Sequence, residues 1–374
     1  MNKDTIKLSD ILIPQPKSKI KAGEGKNTGK YKFFTSSNLQ NKFLNEYQYD
    51  EPALIFGTGG NASIHFCEEK FATSTDCLVF FSEEKQLLKS VYLYLSGNIQ
   101  ILESGFKGAG LKHISRQYIL DISIPLPGAN EQRKIAAVLD KVSDLIAKRR
   151  QQLDKLDEMV KVRFMEIFGD PVTNPKGWKI DKLGSCMTTL TDFSANGSYE
   201  LLDSNVVMYD EPNYAVMVRT TDLEAGNLDN GVKYIDQKAY ELLSKSKLYG
   251  GELIMNKIGS AGKIYIMPHI GKPASLGRNA FMFRFDERIN MVFLYALLTS
   301  DYGTVEIQQY VRGAVTKTIT KASTKAIRII VPPIELQNRF ATFVEQTEKT
   351  KLIISRSLEK LEILKKALMQ KYFG

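Results

Sequence analysis

Two short basic segments have the residue types and spacing best suited to chemistry, and that chemistry is contact with phosphate groups. "KGAGLKHIS" runs from Lys107 to Ser115, and "RGAVTKTIT" runs from Arg312 to Thr320, 205 residues further along the chain. No Asp or Glu occurs from residue 104 to 120, nor from 307 to 334. Positive windows without acids favour binding of a nucleic-acid backbone. A solvated surface loop is the alternative for either segment alone, but two matching loops weaken that alternative.

Two glycine-containing segments resemble phosphate-binding loops without matching the known pattern. "AGEGKNTGKY" lies within a third basic window, residues 17–32, which holds six lysines and one acid. Its glycines are wrongly spaced, and Tyr31 stands where a magnesium-binding hydroxyl is needed. For this window a solvated loop and a phosphate contact are equally good interpretations. "GSAGK", residues 259–263, follows a predicted strand without opening a helix, so we expect a turn in which Lys263 touches a DNA backbone.

The sequence lacks the signatures of a catalytic, metal or cofactor site. No glycine-rich turn leads from a strand into a helix, and no nucleophile–base set is credible with three scattered histidines. The cysteines are odd in number and widely spaced, which favours buried reduced thiols. We therefore expect no catalytic residue, no metal and no cofactor in this chain. The residues concerned are Cys67, Cys77, Cys186, His65, His113 and His269.

The two basic loops belong to a longer internal repeat at the same offset. "DISIPLP", residues 121–127, aligns with "AIRIIVP", residues 326–332. Alternating isoleucines followed by proline predict a short strand with a firm end at Pro127 and Pro332. The match then continues without a gap from Asn130 and Glu335 until each copy ends in Phe-Gly. Such a self-match indicates a duplication.

Each repeat ends in a long helix with a seven-residue apolar period. In the first copy eight of ten seam positions are apolar, from Ile135 to Ile167. The second copy has the equivalent seam from Phe340 to Tyr372, interrupted at Thr347, Lys351 and Lys365. This pattern is typical of a coiled coil. The 38 residues from 131 to 168 predict a rod of roughly 57 Å. An apolar stripe of this length needs a partner helix, and the other copy is the simplest one.

The segments before each basic loop share a weaker pattern, which predicts two related α/β domains of mixed β-sheet and short helices. An apolar strand followed by small hydroxyl residues opens both, and a strand running into a glycine-rich turn comes next. The matching pairs are residues 31–40 with 215–224, 52–66 with 252–266, 76–81 with 279–285, and the short helices from Ser90 and Val292. We predict globular domains at 1–127 and 170–332, and long helices at 128–169 and 333–374.

Overall composition limits the class of protein without identifying it. The chain has 374 residues, of which 43% are hydrophobic and 25% charged, an ordinary globular balance. No apolar run approaches a membrane span, and residues 1–13 lack the order of a signal peptide, so we expect a cytoplasmic protein. The net charge of +9 permits a nucleic-acid partner.

Taken together, the residues resemble a known family. Two divergent domains are each followed by a proline and a glutamine–arginine start to a long helix, "PGANEQRKIAAVLDKV" and "PPIELQNRFATFVEQT". Each copy closes on Phe-Gly. This pattern, which covers essentially the whole chain, is similar to the specificity subunit of a type I restriction-modification system. The second helix start reads Leu-Gln-Asn-Arg where Glu-Gln-Arg is typical.

The resemblance implies a fold, partners and cofactors. The two globular parts would be target-recognition domains, each reading one half of a split double-stranded DNA sequence. The two helices would run antiparallel as a spacer, giving a pseudo-twofold arrangement, and would bind two methyltransferase subunits. In the full complex restriction subunits would join them. S-adenosylmethionine would be used by the methyltransferase subunits, and ATP and magnesium by the restriction subunits, with no cofactor in this chain.

The resemblance also implies different roles for the residues that repeat between the two domains and for those that differ. Repeated residues should contact phosphates, which carry no sequence information, and divergent residues should read bases. Arg can fork onto guanine and Asn onto adenine, each worth about 1–3 kcal/mol of discrimination. A structural role is the alternative for each residue, and Asp222 is a candidate turn cap. The expected phosphate contacts are Lys107, Lys112, Arg312 and Lys317; the expected base readers are Thr35, Ser36, Ser37 and Asn38, then Arg219, Thr220, Thr221, Lys257, Arg278 and Asn279.

Two other classes of protein remain as alternatives. A coiled-coil scaffold whose globular ends bind protein partners without DNA is the main one, because residues 1–130 carry 15 basic and 13 acidic groups. A self-contained modification enzyme would need a cofactor site that the sequence does not show. Measuring DNA retention with and without a methyltransferase partner would distinguish a scaffold from a DNA-reading subunit. Failure of the chain alone to bind S-adenosylmethionine would exclude a self-contained modification enzyme.

Overall fold

The chain folds into two compact units, seen in a computed structural model that describes residues 5–108, 112–125 and 129–373. Unit 1 comprises residues 1–152 and 353–374, and unit 2 comprises residues 153–352. Each unit therefore contains one globular part and portions of both long helices. The domain boundaries predicted from the sequence remain a prediction, because this division groups residues by packing and cuts through both long helices. Residues 109–111 of the first basic loop and the predicted strand end at Pro127 lie outside the described residues.

Unit 1 is a mixed α/β unit with a four-stranded and a three-stranded sheet. The sheets have strand orders β2-β8-β5-β6 and β4-β3-β7, and β1 pairs with β9. The strands are β1 (Thr5–Lys7), β2 (Ile13–Pro14), β3 (Tyr31–Phe34), β4 (Lys42–Leu44), β5 (Ala53–Gly57), β6 (Ser63–Cys67), β7 (Phe71–Thr73), β8 (Cys77–Phe81) and β9 (Ser123–Pro125). The helices are α1 (Lys85–Gly97), α2 (Ile99–Glu103) and α3 (Arg116–Asp121), followed by the long helix α4 (Ala129–Phe168).

Unit 2 contains counterparts of the unit 1 strands in the same order, together with one further strand and further short helices. Its strands are β10 (Lys179–Lys182), β11 (Met187–Asp192), β12 (Ala215–Val218), β13 (Lys233–Ile235), β14 (Lys247–Leu248), β15 (Leu253–Asn256), β16 (Ile264–Ile266), β17 (Ala274–Leu276), β18 (Ala280–Phe285) and β19 (Arg328–Val331). Its short helices are α5 (Tyr199–Asn205), α6 (Thr220–Ala225), α7 (Gln237–Leu242), α8 (Met291–Thr299), α9 (Asp301–Gln308) and α10 (Lys321–Ala326). The second long helix, α11 (Ile334–Phe373), follows and, like α4, contributes to both units.

Apart from one additional strand in unit 2, the two units have the same sheet topology, which confirms the predicted repeat. In unit 2 the orders are β11-β18-β15-β16 and β13-β12-β17-β14, and β10 pairs with β19. The parallel pair β3–β7 of unit 1 corresponds to the parallel pair β12–β17. Strand β14 extends the second sheet in unit 2 alone within the described residues. The weak upstream matches of the sequence therefore report a shared fold.

The central strand of each larger sheet is a continuous apolar run, because both of its faces are buried. Every residue of β5 is buried, and the same holds for β15. Alternate side chains of a strand point to opposite faces. Leu54 and Phe56 accordingly pack on α1, while Ile55 packs towards the smaller sheet. Strand β15 divides its side chains between two cores in the same way.

The long helices begin and end at positions 205 residues apart, as the repeat predicts. Within unit 1, Ile135 and Leu139 of α4 pack with Leu368 and Tyr372 of α11. Within unit 2, the last turns of α4 meet the first turns of α11, where the Phe164 and Phe340 rings lie 5.6 Å apart. The start of one helix thus meets the end of the other, so the pair is antiparallel. Every predicted seam position is buried or half-buried.

Ion pairs between the helices follow the same antiparallel register. In unit 1, Arg150 bonds Glu362 at 2.7 Å, and in unit 2, Lys351 bonds Asp157 at 2.7 Å. Lys351 is one of the residues that interrupt the apolar seam of α11, and its pair with Asp157 of α4 compensates its charge there. Within the described ranges, none of the helices combines the length and apolarity that crossing a bilayer demands.

The glutamine at the start of α11 has a structural role. Gln337 is fully buried, donates to the carbonyls of Pro332 and Arg288, and accepts from the backbone N–H of Asn290. Its amide thus joins the first turn of the helix to the segment before α8. A buried amide needs all of these partners, which explains why a glutamine is used here.

Candidate nucleic-acid interface

The basic loop of each unit is closed by the same pair of backbone hydrogen bonds. Lys107 and His113 exchange N–H···O bonds of 3.0 Å in unit 1. Arg312 and Thr318 exchange bonds of 2.9 and 2.7 Å in unit 2. These pairs are related by the 205-residue offset, so the loop closure repeats. The side chains predicted to contact phosphate are all exposed: Lys107, Lys112, Arg312 and Lys317.

Each basic loop is also attached to a glycine-rich turn that follows the central strand. In unit 1, the backbone N–H of Ile114 donates to the carbonyl of Thr58, and a ring nitrogen of His113 lies 3.0 Å from the same oxygen. In unit 2, Ile319 N–H donates to the carbonyl of Lys257 at 3.0 Å. The turn and the loop therefore form one continuous surface in each unit. "GSAGK" forms the predicted turn, between β15 and β16.

A helix cap fixes the exit of each loop. The Ser115 hydroxyl accepts from the Tyr118 N–H at the start of α3, and the Thr320 hydroxyl accepts from the Ser323 N–H at the start of α10, both at 3.1 Å. Ser and Thr are preferred at such positions because the hydroxyl oxygen satisfies a free helix N–H. The repeated hydroxyl residue at the end of the loop sequence thus has a structural reason.

The predicted base readers of unit 1 divide into supporting and exposed residues. Ser36 is half-buried; its hydroxyl donates to the Asp76 carbonyl at 2.7 Å and accepts from Gly59 N–H at 3.4 Å. Thr35 accepts weakly from the N–H of Ser37. Ser37 and Asn38 are exposed. The structure therefore brings this segment against the glycine turn, with Ser37 and Asn38 the most accessible to a ligand.

Arg219, a predicted guanine reader, is already paired within unit 2. Its guanidinium donates to both carboxylate oxygens of Asp222, at 2.6 and 3.0 Å, and also to the carbonyl of Gly231. Asp222 is buried and accepts from the backbone N–H of Arg219 at the start of α6, which confirms it as a cap. Thr220 is half-buried and Thr221 is exposed.

The two predicted lysines of the glycine turn in unit 2 are both in ion pairs. Lys257 lies 3.0 Å from Asp192, and only 14% of its side chain is exposed. A base reader needs a free, accessible donor, so Lys257 supports the turn in this conformation. Lys263 is more exposed and pairs with Glu224 of α6. Lys263 therefore joins the turn to the segment that carries Thr221.

Arg278 and Asn279 lie beside the same turn. The Arg278 guanidinium contacts Asp203 at 3.2 Å and lies over the Phe193 ring. Asn279 has an exposed side chain, and its carbonyl accepts from the N–H of Lys257 at 2.9 Å. In unit 1, the carbonyl of Asp76 accepts from the N–H of Thr58 at the equivalent place. The turn before β18 in unit 2 and the turn before β8 in unit 1 therefore contact the glycine turn in the same way.

An open cavity of about 440 Å³ lies beside the basic loop of unit 2. The glycine turn, α8, α9 and Lys317 line it. Gly262 has a φ of +88°, and a Cβ there would come within 2.5 Å of the Ile307 side chain. Glycine is therefore required for the turn to pack against α9.

Sequence reasoning missed one charged residue, which the structure places between the glycine turn and the end of the basic loop. Asp192 is buried at the end of β11 and bonds both Lys257 and Lys321. Burial alone would raise the pKa of the Asp192 carboxyl, but the hydrogen bonds and charges of the two lysines outweigh it and hold that pKa below its ordinary value. A lone aspartate gave no sequence signal, although Lys321 lies in the acid-free window.

A family model described as the type I restriction modification DNA specificity domain matches the chain twice, at residues 2–157 and 179–363. The chain is similar to the type I restriction enzyme MjaVIII specificity subunit of Methanocaldococcus jannaschii, with 24% identity over 326 residues, covering 84% of this chain and 76% of that protein. It is also similar to the EcoBI specificity subunit of Escherichia coli, with 21% identity over 352 residues, covering 86% of this chain and 72% of that protein.

A solved structure shows the same fold. The crystal structure of the S subunit of a type I restriction-modification system from M. genitalium superposes with a TM-score of 0.62 and 13% identity, covering 99% of this chain and 96% of that one. At this identity the likeness concerns the fold, and it spans both units and both long helices.

Proposed function

This chain belongs to the family of type I restriction-modification DNA specificity domains, and from that premise we propose that each of its two units reads one half of a split double-stranded DNA target. The family resemblance drawn from the helix starts is confirmed. The chain is a specificity subunit that supplies DNA sequence specificity, and the catalytic activities lie in partner subunits.

The repeated loop closure is the observation that supports two equivalent DNA-contacting surfaces. Loops 107–113 and 312–318 have the same hydrogen bonds, the same attachment to a glycine turn and the same helix cap. The side chains around them differ between the units. Contacts to phosphate position a protein without reading sequence, whereas contacts to base edges specify it. We assign the repeated basic residues to phosphates and the divergent neighbours to bases.

Accessibility ranks the candidate base readers. Ser37, Asn38, Thr221 and Asn279 are exposed in the conformation described, and amide or hydroxyl groups suit base edges. Arg219 would first have to leave Asp222, a carboxylate that is only 6% exposed. Removing one partner of a buried ion pair is strongly unfavourable. We therefore propose that Arg219 orders the segment and that its neighbour Thr221 does the reading.

The long helices are the proposed binding surface for the methyltransferase subunits. Apolar side chains remain exposed on them, including Ile353 and Ile363 in unit 1 and Met159 and Val162 in unit 2. Apolar surface left exposed on a helix is available to a protein partner, which would bury it. We propose two methyltransferase subunits, joined in the full complex by restriction subunits. This chain would direct adenine methylation by the methyltransferase subunits, which would use S-adenosylmethionine, and restriction by subunits that would require ATP and magnesium.

The decisive test joins this chain to a purified methyltransferase partner. Methylome sequencing of a host with and without this gene should reveal one split sequence whose adenines are modified only when the gene is present. The purified complex should then retain duplexes with that sequence and release duplexes in which either half is scrambled. If the chain bound its protein partner but gave no sequence-dependent retention, a scaffold role would replace the proposed one. We also propose that it acts in the cytoplasm, where its DNA substrate would be reached.

A further inference from the structure

We infer that Asp192 is a positioning residue for the DNA-facing loops of unit 2 and sets the discrimination of that unit's half-site. The inference rests on the proposed function, because it names a support for the same surface. Asp192 is the last residue of β11, and 8% of its side chain is exposed. A carboxylate this deeply buried needs charged partners, and two lysines supply them.

Each carboxylate oxygen of Asp192 holds one lysine from a different segment. Oδ2 lies 3.0 Å from Nζ of Lys257, which opens the glycine turn. Oδ1 lies 2.7 Å from Nζ of Lys321, the first residue of α10 and the residue that follows the basic loop. Charge-assisted hydrogen bonds of this kind are roughly twice as strong as neutral ones. One side chain thus anchors the beginning of the turn and the end of the loop.

The anchored segments are bonded to each other at their DNA-facing ends. Gly259 N–H donates to the carbonyl of Lys317 at 2.9 Å, and Ile319 N–H donates to the carbonyl of Lys257 at 3.0 Å. Lys257 N–H donates in turn to Asn279. A shift of the lysine anchors would therefore move Lys317 and Asn279 together. Recognition groups must be held to within roughly 0.5 Å, so such a shift would weaken discrimination.

Among the residues that the structure describes, the equivalent positions of unit 1 do not form this anchor. Pro14 of β2 pairs with Phe80, and Leu190 of β11 pairs with the equivalent Phe283, so Pro14 and Leu190 occupy equivalent positions. Counting two residues further along each chain segment, Pro16 is the equivalent of Asp192. Thr58 and Arg116 stand in place of the two lysines. A proline cannot supply the carboxylate, and the Thr58 hydroxyl instead donates to the carbonyl of Asp76 at 3.0 Å. The anchor is therefore confined to one half of the molecule.

The test uses the full chain assembled with its methyltransferase partner and the target found by methylome sequencing. Asp192→Asn keeps the shape of the side chain and removes its charge. Binding is measured on duplexes that carry single substitutions in one half-site or the other. We expect about a tenfold loss of discrimination in one half-site, towards the lower end of what a single base contact supplies, and no change in the other.

A matched control removes a different buried charge from the same unit. Glu252 is 4% exposed, bonds Arg284 at 3.0 Å and accepts from the N–H groups of Tyr249 and Gly250. Glu252→Gln should lower the stability of unit 2 and leave discrimination in both half-sites unchanged. Equal losses for the two variants would reduce Asp192 to a general stabiliser and overturn the inference.

A second variant keeps the inference testable if Asp192→Asn does not fold. Lys321→Met removes the more exposed of the two lysines, with 40% of its side chain accessible against 14% for Lys257. It leaves the Asp192–Lys257 pair intact. It should reduce discrimination in the same half-site by about threefold, as expected for loss of one of two anchors. Unchanged discrimination, a loss in both half-sites, or a uniform loss of affinity alone would each overturn the inference. A wild-type complex that selects no split sequence would refute the proposed function itself.

Discussion

Replacing Lys317 by alanine tests the assignment of the basic loops to phosphate contacts. The Lys317 side chain is exposed, while its backbone carbonyl accepts from Gly259, a bond that alanine retains. Surface substitutions of this kind change the free energy of unfolding by no more than about 0.5 kcal/mol. The loop should therefore keep its shape, and any change in DNA binding should report the lost charge.

The magnitude follows from counterion release. Each phosphate contact contributes about −0.9 to the slope of log binding constant against log salt concentration. Lys317→Ala should make that negative slope shallower by about 0.9, so that the affinity deficit of the variant shrinks about 3.5-fold between 50 and 200 mM salt. Adding the equivalent Lys112→Ala should roughly double the change, because the two loops lie in different units and distant sites add.

Binding to matched and scrambled duplexes at several salt concentrations measures both quantities. The control is Lys238→Ala, which removes the same charge from an exposed position on α7 of the same unit. It should leave the slope unchanged. An unchanged slope for Lys317→Ala, or an altered sequence preference with unchanged affinity for scrambled DNA, would refute the phosphate assignment.

Three further outcomes are expected. Deleting one heptad from either long helix should change the preferred gap between half-sites or abolish assembly, as methylome sequencing would show; an unchanged gap would argue against a spacer role. Phe168→Ala removes a fully buried ring that lies 4.6 Å from Phe293, so chemical denaturation should show about 3–5 kcal/mol lower stability; a loss below 1 kcal/mol would mean that the site collapses around the missing ring. The pKa of Asp192 in the folded state lies below its ordinary 3.8, so its ionised carboxylate stabilises the fold above that value and stops doing so as pH falls through the folded-state pKa. The difference in unfolding free energy between wild type and Asp192→Asn should therefore shrink in acid. A difference that stays constant with pH would contradict the pairing.

The repeat and the helices could be predicted from the sequence because their causes are local. A seven-residue apolar period determines which face of α4 and α11 packs, whatever the rest of the chain does. The offset of 205 residues predicted the two long helices and the strands β9 and β19, and the loop closures, which the sequence did not predict, follow the same offset. The fold of the upstream segments followed from weaker patterns, since β5 and β15 are short apolar runs ending at glycine-rich turns.

The state of the charged side chains was decided only by the tertiary structure. Lys257 and Asp192 are 65 residues apart in the chain, and Lys321 and Asp192 are 129 apart, yet one carboxylate holds both lysines. Sequence alone presents Lys257 and Lys317 as two lysines available to DNA, the first to a base and the second to a phosphate. Sheet pairing brings the end of β11 beneath the first and leaves the second in solvent. Which cations are free to meet DNA therefore depends on contacts between distant strands, and no local pattern encodes them.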